Sequence, residues 1–347
     1  MLKSLMKSKL FWPIVILVII LLINLFFDRG FFQIEVRNGR LAGSLVDILN
    51  RGAPLMLISI GMTLVIATKG IDLGVGSVIA LSGAIAATTV ADASEGSLAP
   101  LFAAIALAIF VCMVAGAWNG FLVSRIGVQP IVATLILMVA GRGVAQLVTQ
   151  GQITTVYYDP YTFIGGGYLL GLPFSIFIVV AVLLLALFVT RKTAMGLFIE
   201  SVGSNPEASR LSGINSKNIL MMVYIFSGFC AAIGGLILSS NVASADGNNA
   251  GLWYELDAIL AVVIGGTSLM GGRFYLMGTI IGALIIQSLT TTIYSIGIPP
   301  ETNMVVKAIV VLIVCLLQSP EFRSKVFGSF KAKKAVESED DKGVTLS

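Results

Sequence analysis

Residues 60–84 read IGMTLVIATKGIDLGVGSVIALSGA, two apolar runs on either side of a short turn. The runs belong to apolar segments at 53–68 and 71–91, close to the roughly 20 residues that a helix needs to cross a bilayer. The whole chain has this character, since 57% of its 347 residues are hydrophobic and 12% are charged, against roughly 25% charged in a soluble domain. We therefore expect an all-α protein, a polytopic transmembrane helical bundle.

The apolar segments predict about ten membrane spans. The first, Phe11 to Phe27, follows three lysines and has no small-residue cleavage site, so it is interpreted as an uncleaved signal-anchor helix. The other segments fall at 53–68, 71–91, 98–124, 130–149, 172–190, 219–240, 255–271, 274–294 and 304–319. The turns near 69–74 and 271–274 are either cytoplasmic turns or bends of broken helices, which leaves eight spans as the alternative.

The basic residues predict the orientation. With a cytoplasmic N-terminus, sixteen of the 22 lysines and arginines fall in the inside connections and tail, as the positive-inside rule requires. This arrangement gives a cytoplasmic N-terminus (1–10), a transmembrane domain (11–319) and a cytoplasmic disordered tail (320–347). Both termini are then cytoplasmic.

Several absences restrict the chemistry. The chain has no histidine, and its three cysteines are isolated in apolar runs, so neither a metal site nor a nucleophilic catalytic pair is indicated. No phosphate-binding G-x-x-x-x-G-K-[ST] loop occurs, and the net charge of +4 does not indicate nucleic acid. We expect no enzyme activity, no cofactor and no metal in this chain, and no nucleic-acid partner.

Small residues four apart recur in separate spans. The spacings are Gly70/Gly74, Gly116/Gly120, Gly278/Gly282 and Ser227/Ala231/Gly235. In lipid such residues let helix backbones approach closely. They predict a tightly packed bundle, which includes a subunit interface in one interpretation.

The longest polar connection on the predicted inner side is 191–218, and it carries the signals of a short helix. Asn205 can cap the helix, and Pro206 occupies its first position. Glu207 lies at the positive end of the helix, and Gly213 can terminate it. The remaining residues would form a small apolar face with a charged flank: Ala208, Leu211 and Ile214, with Arg210 beside them. Such a helix either packs on the membrane surface or docks into a groove on a partner.

Polar residues inside the spans are candidates for a translocation pathway. Arg142 stands within LMVAGRGVAQL (137–147), where a charge is costly, so it should face the bundle interior, a watery cavity or a carboxylate. It would form either an ion pair or a solute contact. The uncharged candidates are Asn119, Gln129, Gln146 and Gln287. They would either contact a neutral polyhydroxy solute or form hydrogen bonds between helices.

Two acids, Glu255 and Asp257, fall at the outer entrance of the eighth span, in LWYELDAIL. They would contact the solute, contact an outside partner, or stabilise the start of a helix.

Four blocks of sequence resemble the permease subunits of carbohydrate-uptake ABC transporters of the ribose/galactose group. The blocks are 60–84, AGAWNGFLVSRIGVQPIVATLILMVAGRGVAQL (115–147), SNPEASRLSGIN (204–215) and YELDAILAVVIGGTSLMGGR (254–273). Three stretches of sequence resemble galactofuranose permeases more closely still: 39–51, 133–147 and 248–266.

This resemblance implies a multi-pass protein of the bacterial inner membrane that carries a galactofuranose-like hexose or a pentose by alternating access. Its implied partners are a second permease subunit, identical or paralogous, a separate ABC ATPase subunit that hydrolyses the ATP, and a periplasmic sugar-binding protein. The helix at 205–214 would then couple the permease to the ATPase. An ion-coupled secondary carrier is the alternative, and it would be expected to show carboxylates in mid-span.

Overall fold

The computed structural model describes residues 10–27, 30–37, 39–91, 93 and 97–297, together with 302, 304–309, 312 and 316. Residues 1–9 of the predicted N-terminal segment and the whole predicted tail, 320–347, lie outside the described residues. Residues up to Ile296 form one compact unit.

Helices dominate this unit. The α-helices are α1 (Phe11–Phe27), α2 (Ser44–Ala67), α3 (Val75–Val90), α4 (Ala99–Phe121), α5 (Pro130–Val148), α6 (Asp159–Gly166), α7 (Phe174–Lys192), α8 (Met195–Ser204), α9 (Pro206–Leu211), α10 (Ser216–Asn241), α11 (Tyr254–Ile264) and α12 (Leu276–Ser295). A π-helical turn, Leu122–Ile126, extends α4. Antiparallel pairs of short strands join β1 (Glu35–Arg37) to β2 (Arg40–Ala42), β3 (Thr154–Thr155) to β6 (Ser244–Ala245), and β4 (Tyr168–Leu169) to β5 (Leu172–Pro173).

Among the described residues, six helices are long and apolar enough to cross a membrane: α2, α4 with its π turn, α5, α7, α10 and α12. Two shorter apolar helices, α1 and α3, accompany them. Of the predicted segment 304–319, residues 304–309 are helical, and most of the rest lies outside the described residues. The all-α membrane class is confirmed, whereas the number of about ten spans and the positions of the termini stay predictions.

Helix α3 forms the centre of the bundle. Fourteen of its 16 residues are buried, and α4, α5 and α10 pack around it. The approach to α10 is close because a Cβ atom on Gly235 would collide with the carbonyl oxygen of Ile79. The predicted tight packing through small residues is also seen where α12 meets α11, since a Cβ on Gly282 would collide with the carbonyl oxygen of Ala261.

Between α2 and α3 the chain is not helical, and residues 68–74 are called the unwound segment. It turns at Lys69 and then runs back into the bundle, with Gly70, Asp72 and Gly74 buried. The hydroxyl of Thr134, four residues into α5, donates to the carbonyl oxygen of Ile71 at 3.2 Å. The turn near 69–74 is therefore the bend of a broken helix, because its second half lies between helices.

A second non-helical stretch, residues 242–253, is called the re-entrant loop. It returns along α5, where a Cβ on Gly247 would lie 2.9 Å from the carbonyl oxygen of Ala145. At its end Gly251 packs directly on Gly76 in the first turn of α3. Helix α11 therefore starts inside the bundle and has 11 residues. The predicted span 255–271 is wrong in this respect, since its second half, after Ile264, is a loop.

The connections predicted to face the cytoplasm meet at one end of the bundle, called the basic end. There Arg125 donates to the side chain of Asn218 at 2.6 Å, and Arg191 lies 5.9 Å from the ring centre of Phe274. Lys69, α8 and α9 lie at the same end, because the Lys69 ammonium donates to a backbone carbonyl of α8. The basic loops are thus gathered in space as the charge pattern predicts.

Candidate functional site

Helix α9 forms where the sequence predicts a short helix. The side-chain oxygen of Asn205 accepts the N–H of Ala208 at 3.1 Å, and Pro206 occupies the first helical position. Gly213 follows the helix with a φ of +84°, a left-handed conformation that glycine adopts without strain. The local signals are therefore sufficient to specify this helix.

The surface of α9 is available to a partner. Leu211 is 84% exposed, and Glu207 and Arg210 form a 3.8 Å ion pair between exposed side chains, which stabilises little. Ser209 is buried against the protein. The helix is thus anchored on one face and presents an exposed leucine and two charges on the others.

A buried carboxylate that the sequence analysis did not select lies between the helices. Asp72 is 4% exposed and accepts hydrogen bonds from the Ser227 hydroxyl at 2.8 Å and from the Gly74 N–H at 3.0 Å. The amide of Asn119 lies 3.5 Å away. Asn119 is therefore in a polar cluster, as expected for a buried polar side chain, but its neighbour is a carboxylate.

This inner polar cluster consists of Asp72, Asn119, Tyr224 and Ser227. The side-chain oxygen of Asn119 and the hydroxyl of Tyr224 are buried and have no hydrogen-bond partner among the described residues. Buried polar atoms of this kind are usually satisfied by water. The only sequence signal is an acid in the turn GIDLG, because the other members of the cluster, Asn119, Tyr224 and Ser227, lie far away along the chain.

Arg142 belongs to an outer polar cluster with Asp246, Ala250 and Glu255. Its guanidinium is half-buried and donates to the carbonyl oxygen of Ala250 in the re-entrant loop. The negative charges of Glu255 and Asp246 lie close enough to act on it. Glu255 is 3% exposed, so its carboxylate does not face an outside partner. Arg142 therefore fixes the loop to α5 and places a positive charge near a buried acid.

The pKa of Asp246 lies below its usual range. Partial burial alone would raise this pKa, but hydrogen bonds from the side chain of Asn249 and from the N–H groups of Asn248 and Asn249 outweigh that effect. The positive charge of Arg142 acts in the same direction. Asp246 thus remains a carboxylate in the neutral pH range and organises the start of the loop.

The remaining pathway candidates are dispersed. Gln129 is an exposed residue at the start of α5, and Gln146 is half-buried one turn beyond Arg142. Gln287 packs on Gly52 of α2, and Asp257 lies half-buried in the first turn of α11. Among the seven candidates, the structure therefore places Arg142 near Glu255, and Asp257 also lies close enough to act on Glu255.

A cavity of about 320 Å³ lies between α3, α10 and the re-entrant loop. Its wall is mainly apolar or glycine, with polar groups from Ser239, Asp246, Asn249 and Tyr254. None of the seven candidates lines it. It is the kind of space that sequence patterns do not reveal, because it is formed by a loop folding back on two helices.

These features define a class of protein. A helical bundle with membrane-length apolar helices, polar clusters between the helices and a charged, exposed helix at one end is a polytopic membrane protein of the transporter type. The chain belongs to the family described as "Branched-chain amino acid transport system / permease component", which matches residues 44–315.

Individual relatives are more informative about the solute. The chain is 51% identical to the galactofuranose transporter permease protein YtfT of Escherichia coli (strain K12), over 93% of this chain and 94% of that protein. It is 40% identical to the fructose import permease protein FruF of Bifidobacterium longum (97% and 95% covered) and 39% identical to the ribose import permease protein RbsC of Haemophilus influenzae (90% and 93% covered). No solved structure matches the chain. The resemblance to sugar permeases is confirmed.

Proposed function

We propose that this chain is the permease subunit of an ATP-driven sugar importer of the bacterial inner membrane, and that α9 is the element through which a separate ATPase subunit acts on it. The solute is a monosaccharide, with a galactofuranose-like hexose first and a pentose second. This order follows the identities to the three named relatives. The chain itself carries no bond chemistry in this scheme.

The observation that carries the proposal is the geometry of α9. A six-residue helix cannot be stable by itself in water, yet this one is capped, anchored through Ser209 and leaves Leu211 almost fully exposed. A large apolar side chain held rigidly outward gains free energy when a partner buries it. The position of α9 at the basic end fits a partner in the cytoplasm.

Transport by alternating access needs more than docking. The interior of the bundle must also be able to change its packing. The inner and outer polar clusters hold the two non-helical stretches against the helices. Hydrogen bonds of this kind break and re-form at a cost of a few kcal/mol, which is the scale that nucleotide binding can supply. We assign the solute pathway to the part of the bundle between these two clusters. In this proposal the bundle contacts a second permease subunit, and a periplasmic sugar-binding protein delivers the sugar.

Docking is tested with the double substitution Glu207→Arg, Leu211→Asp. Because these side chains are exposed, we expect normal amounts of protein in the membrane, loss of co-purification with the ATPase subunit, and loss of uptake. The matched control is Leu170→Asp, because Leu170 is 87% exposed in the β4–β5 turn, at the opposite end of α7. That variant should retain the ATPase. Normal uptake by the double variant would disprove docking through α9.

The ion-coupled carrier remains the alternative because Asp72 and Glu255 are buried acids. Both have internal partners, which favours a structural role. Cells depleted of ATP should lose uptake of radiolabelled D-galactose, D-fructose or D-ribose, whichever is taken up fastest. Loss only when the proton gradient is collapsed would support the carrier.

A further inference from the structure

Lys69 has a backbone conformation that is unusual for its residue type. It lies two residues after the end of α2 and has a φ of +63°, in the left-handed region. Its N–H donates to the carbonyl of Ile66, and the N–H of Gly70 donates to that of Val65. This is the Schellman arrangement, in which the left-handed position is usually glycine. A lysine there is strained, at a cost of order 1 kcal/mol.

The side chain gives a reason for this strain. The Lys69 ammonium donates a 3.0 Å hydrogen bond to the carbonyl oxygen of Ser204, the last residue of α8. A cation is favoured at this position because the carbonyl end of a helix is negative. The next residue, Asn205, caps α9. Lys69 is therefore bonded to the residue immediately before the proposed docking helix.

The backbone at this point is tightly constrained. The carbonyl oxygen of Ala67, the last residue of α2, accepts the N–H of Gly272 at 2.9 Å. A Cβ atom on Gly203 would collide with the same oxygen. The end of α2, the end of α8 and the α11–α12 loop therefore meet at one place, called the inner junction (Ala67, Lys69, Gly203, Ser204 and Gly272).

The inner junction is connected to the bundle interior along the chain. From Lys69 the unwound segment runs through Asp72 to the start of α3. Asp72 is hydrogen-bonded to Ser227. Only two residues, Gly70 and Ile71, thus separate the lysine bonded to α8 from a carboxylate in the inner polar cluster. A displacement of α8 and α9 has a short, bonded route to the central helix.

We propose that Lys69 is a positioning residue for transport, which transmits the movement of α8 and α9 to the unwound segment and α3. The proposal rests on the proposed function, because it assumes that α9 receives the force. It requires the side chain to be used for coupling and not for folding. The two roles make opposite predictions for replacement by glycine.

The test is Lys69→Gly in the complete importer, purified with its ATPase and sugar-binding subunits and reconstituted in liposomes. Glycine relieves the left-handed strain, so the thermal midpoint should stay unchanged or rise. Sugar transported per ATP hydrolysed should fall, because the hydrogen bond from Lys69 to the end of α8 is lost. Lys69→Arg, which keeps a donor of similar length, should restore the ratio, and Lys69→Met should lower it as glycine does.

Gln150→Gly is the matched control, because Gln150 is also left-handed, with a φ of +53°, and lies in the turn after α5. It should leave the ratio unchanged. An unchanged ratio in both Lys69→Gly and Lys69→Met would overturn the proposal. If Lys69→Gly does not fold, the comparison of Lys69→Met with Lys69→Arg decides it. Co-purification of the ATPase separates the two hypotheses: its loss in the Leu211→Asp double variant supports docking even if the Lys69 variants behave as wild type.

Discussion

The hydroxyl of Ser227 donates a 2.8 Å hydrogen bond to the carboxylate of Asp72, although the two residues are 155 positions apart in the chain. Ser227 lies eleven residues into α10, about 16 Å from the start of that helix at 1.5 Å per residue. The other carboxylate oxygen accepts the N–H of Gly74 just before α3 begins. The Asp72 side chain therefore holds the broken helix against α10. It also accepts the N–H of Gly74, which lies outside a helix and has no helical carbonyl to bond to.

Replacing Asp72 should destabilise the protein. Asp72→Ala leaves the Gly74 N–H and the Ser227 hydroxyl without their acceptor, and such buried losses cost about 1–3 kcal/mol each. Asp72→Asn keeps an oxygen for Gly74, so its effect should be smaller. Thermal unfolding in detergent should rank the midpoints as wild type, Asp72→Asn and then Asp72→Ala.

The control for this series is Asp47→Asn, an exposed acid in the first turn of α2. Its midpoint should remain close to that of the wild type. Equal midpoints for Asp72→Ala and Asp47→Asn would mean that the buried carboxylate contributes nothing to the broken helix.

Arg142 and Glu255 should be energetically coupled. Arg142→Met removes the donor to Ala250 and the positive charge that acts on the buried Glu255, a loss of about 1–3 kcal/mol. Glu255→Gln in the same chain removes the stranded charge. We expect the double variant to lose less free energy of unfolding than the two single variants lose together. The difference should be at least about 0.5 kcal/mol.

The measurement is a double-mutant cycle from unfolding midpoints, with uptake recorded in parallel. Arg142→Lys serves as the comparison, because lysine keeps the charge but loses the planar donor group. Additive effects of the two substitutions would show that the carboxylate and the guanidinium act independently.

How well the sequence predicts this molecule depends on how local each signal is. Helix α9 follows from residues close together in the chain: Asn205, Pro206 and Gly213 act on their own backbone neighbours. The spans follow from apolar composition, and the gathering of basic residues follows from their sorting by the membrane. These features need no knowledge of distant contacts.

The broken helices are different. Hydropathy cannot distinguish an apolar helix from an apolar loop held inside a bundle, so the segment 255–271 is predicted as one span although α11 ends at Ile264. The loop survives there only because neighbouring helices satisfy its backbone. The role of Asp72 depends on Ser227, and that of Lys69 on Ser204, which are contacts that exist only after the chain has folded.

Glycine positions should differ sharply in their tolerance of alanine. A Cβ on Gly282 would collide with the carbonyl oxygen of Ala261, whereas Gly143 in α5 has open space within 4 Å. Gly282→Ala should lower stability by about 1–3 kcal/mol through overpacking. Gly143→Ala should leave it unchanged or raise it by up to roughly 1 kcal/mol, since alanine favours the helix. Unfolding midpoints in detergent measure both, and equal values would contradict the close approach of α11 and α12.

The orientation of the bundle can be tested with two exposed leucines at opposite ends. Leu211 is 84% exposed and Leu170 is 87% exposed, so a cysteine at either position should be equally reactive in detergent. Cys112 and Cys230 are fully buried and should react slowly, and Cys315 is replaced by serine in the background. A membrane-impermeant maleimide added to intact cells with a permeabilised outer membrane should label Leu170→Cys and not Leu211→Cys. Inside-out vesicles should give the reverse. Labelling of Leu211→Cys from outside would place α9 away from any cytoplasmic ATPase and remove the basis for coupling through that helix, because the positive-inside bias would then have predicted the wrong side.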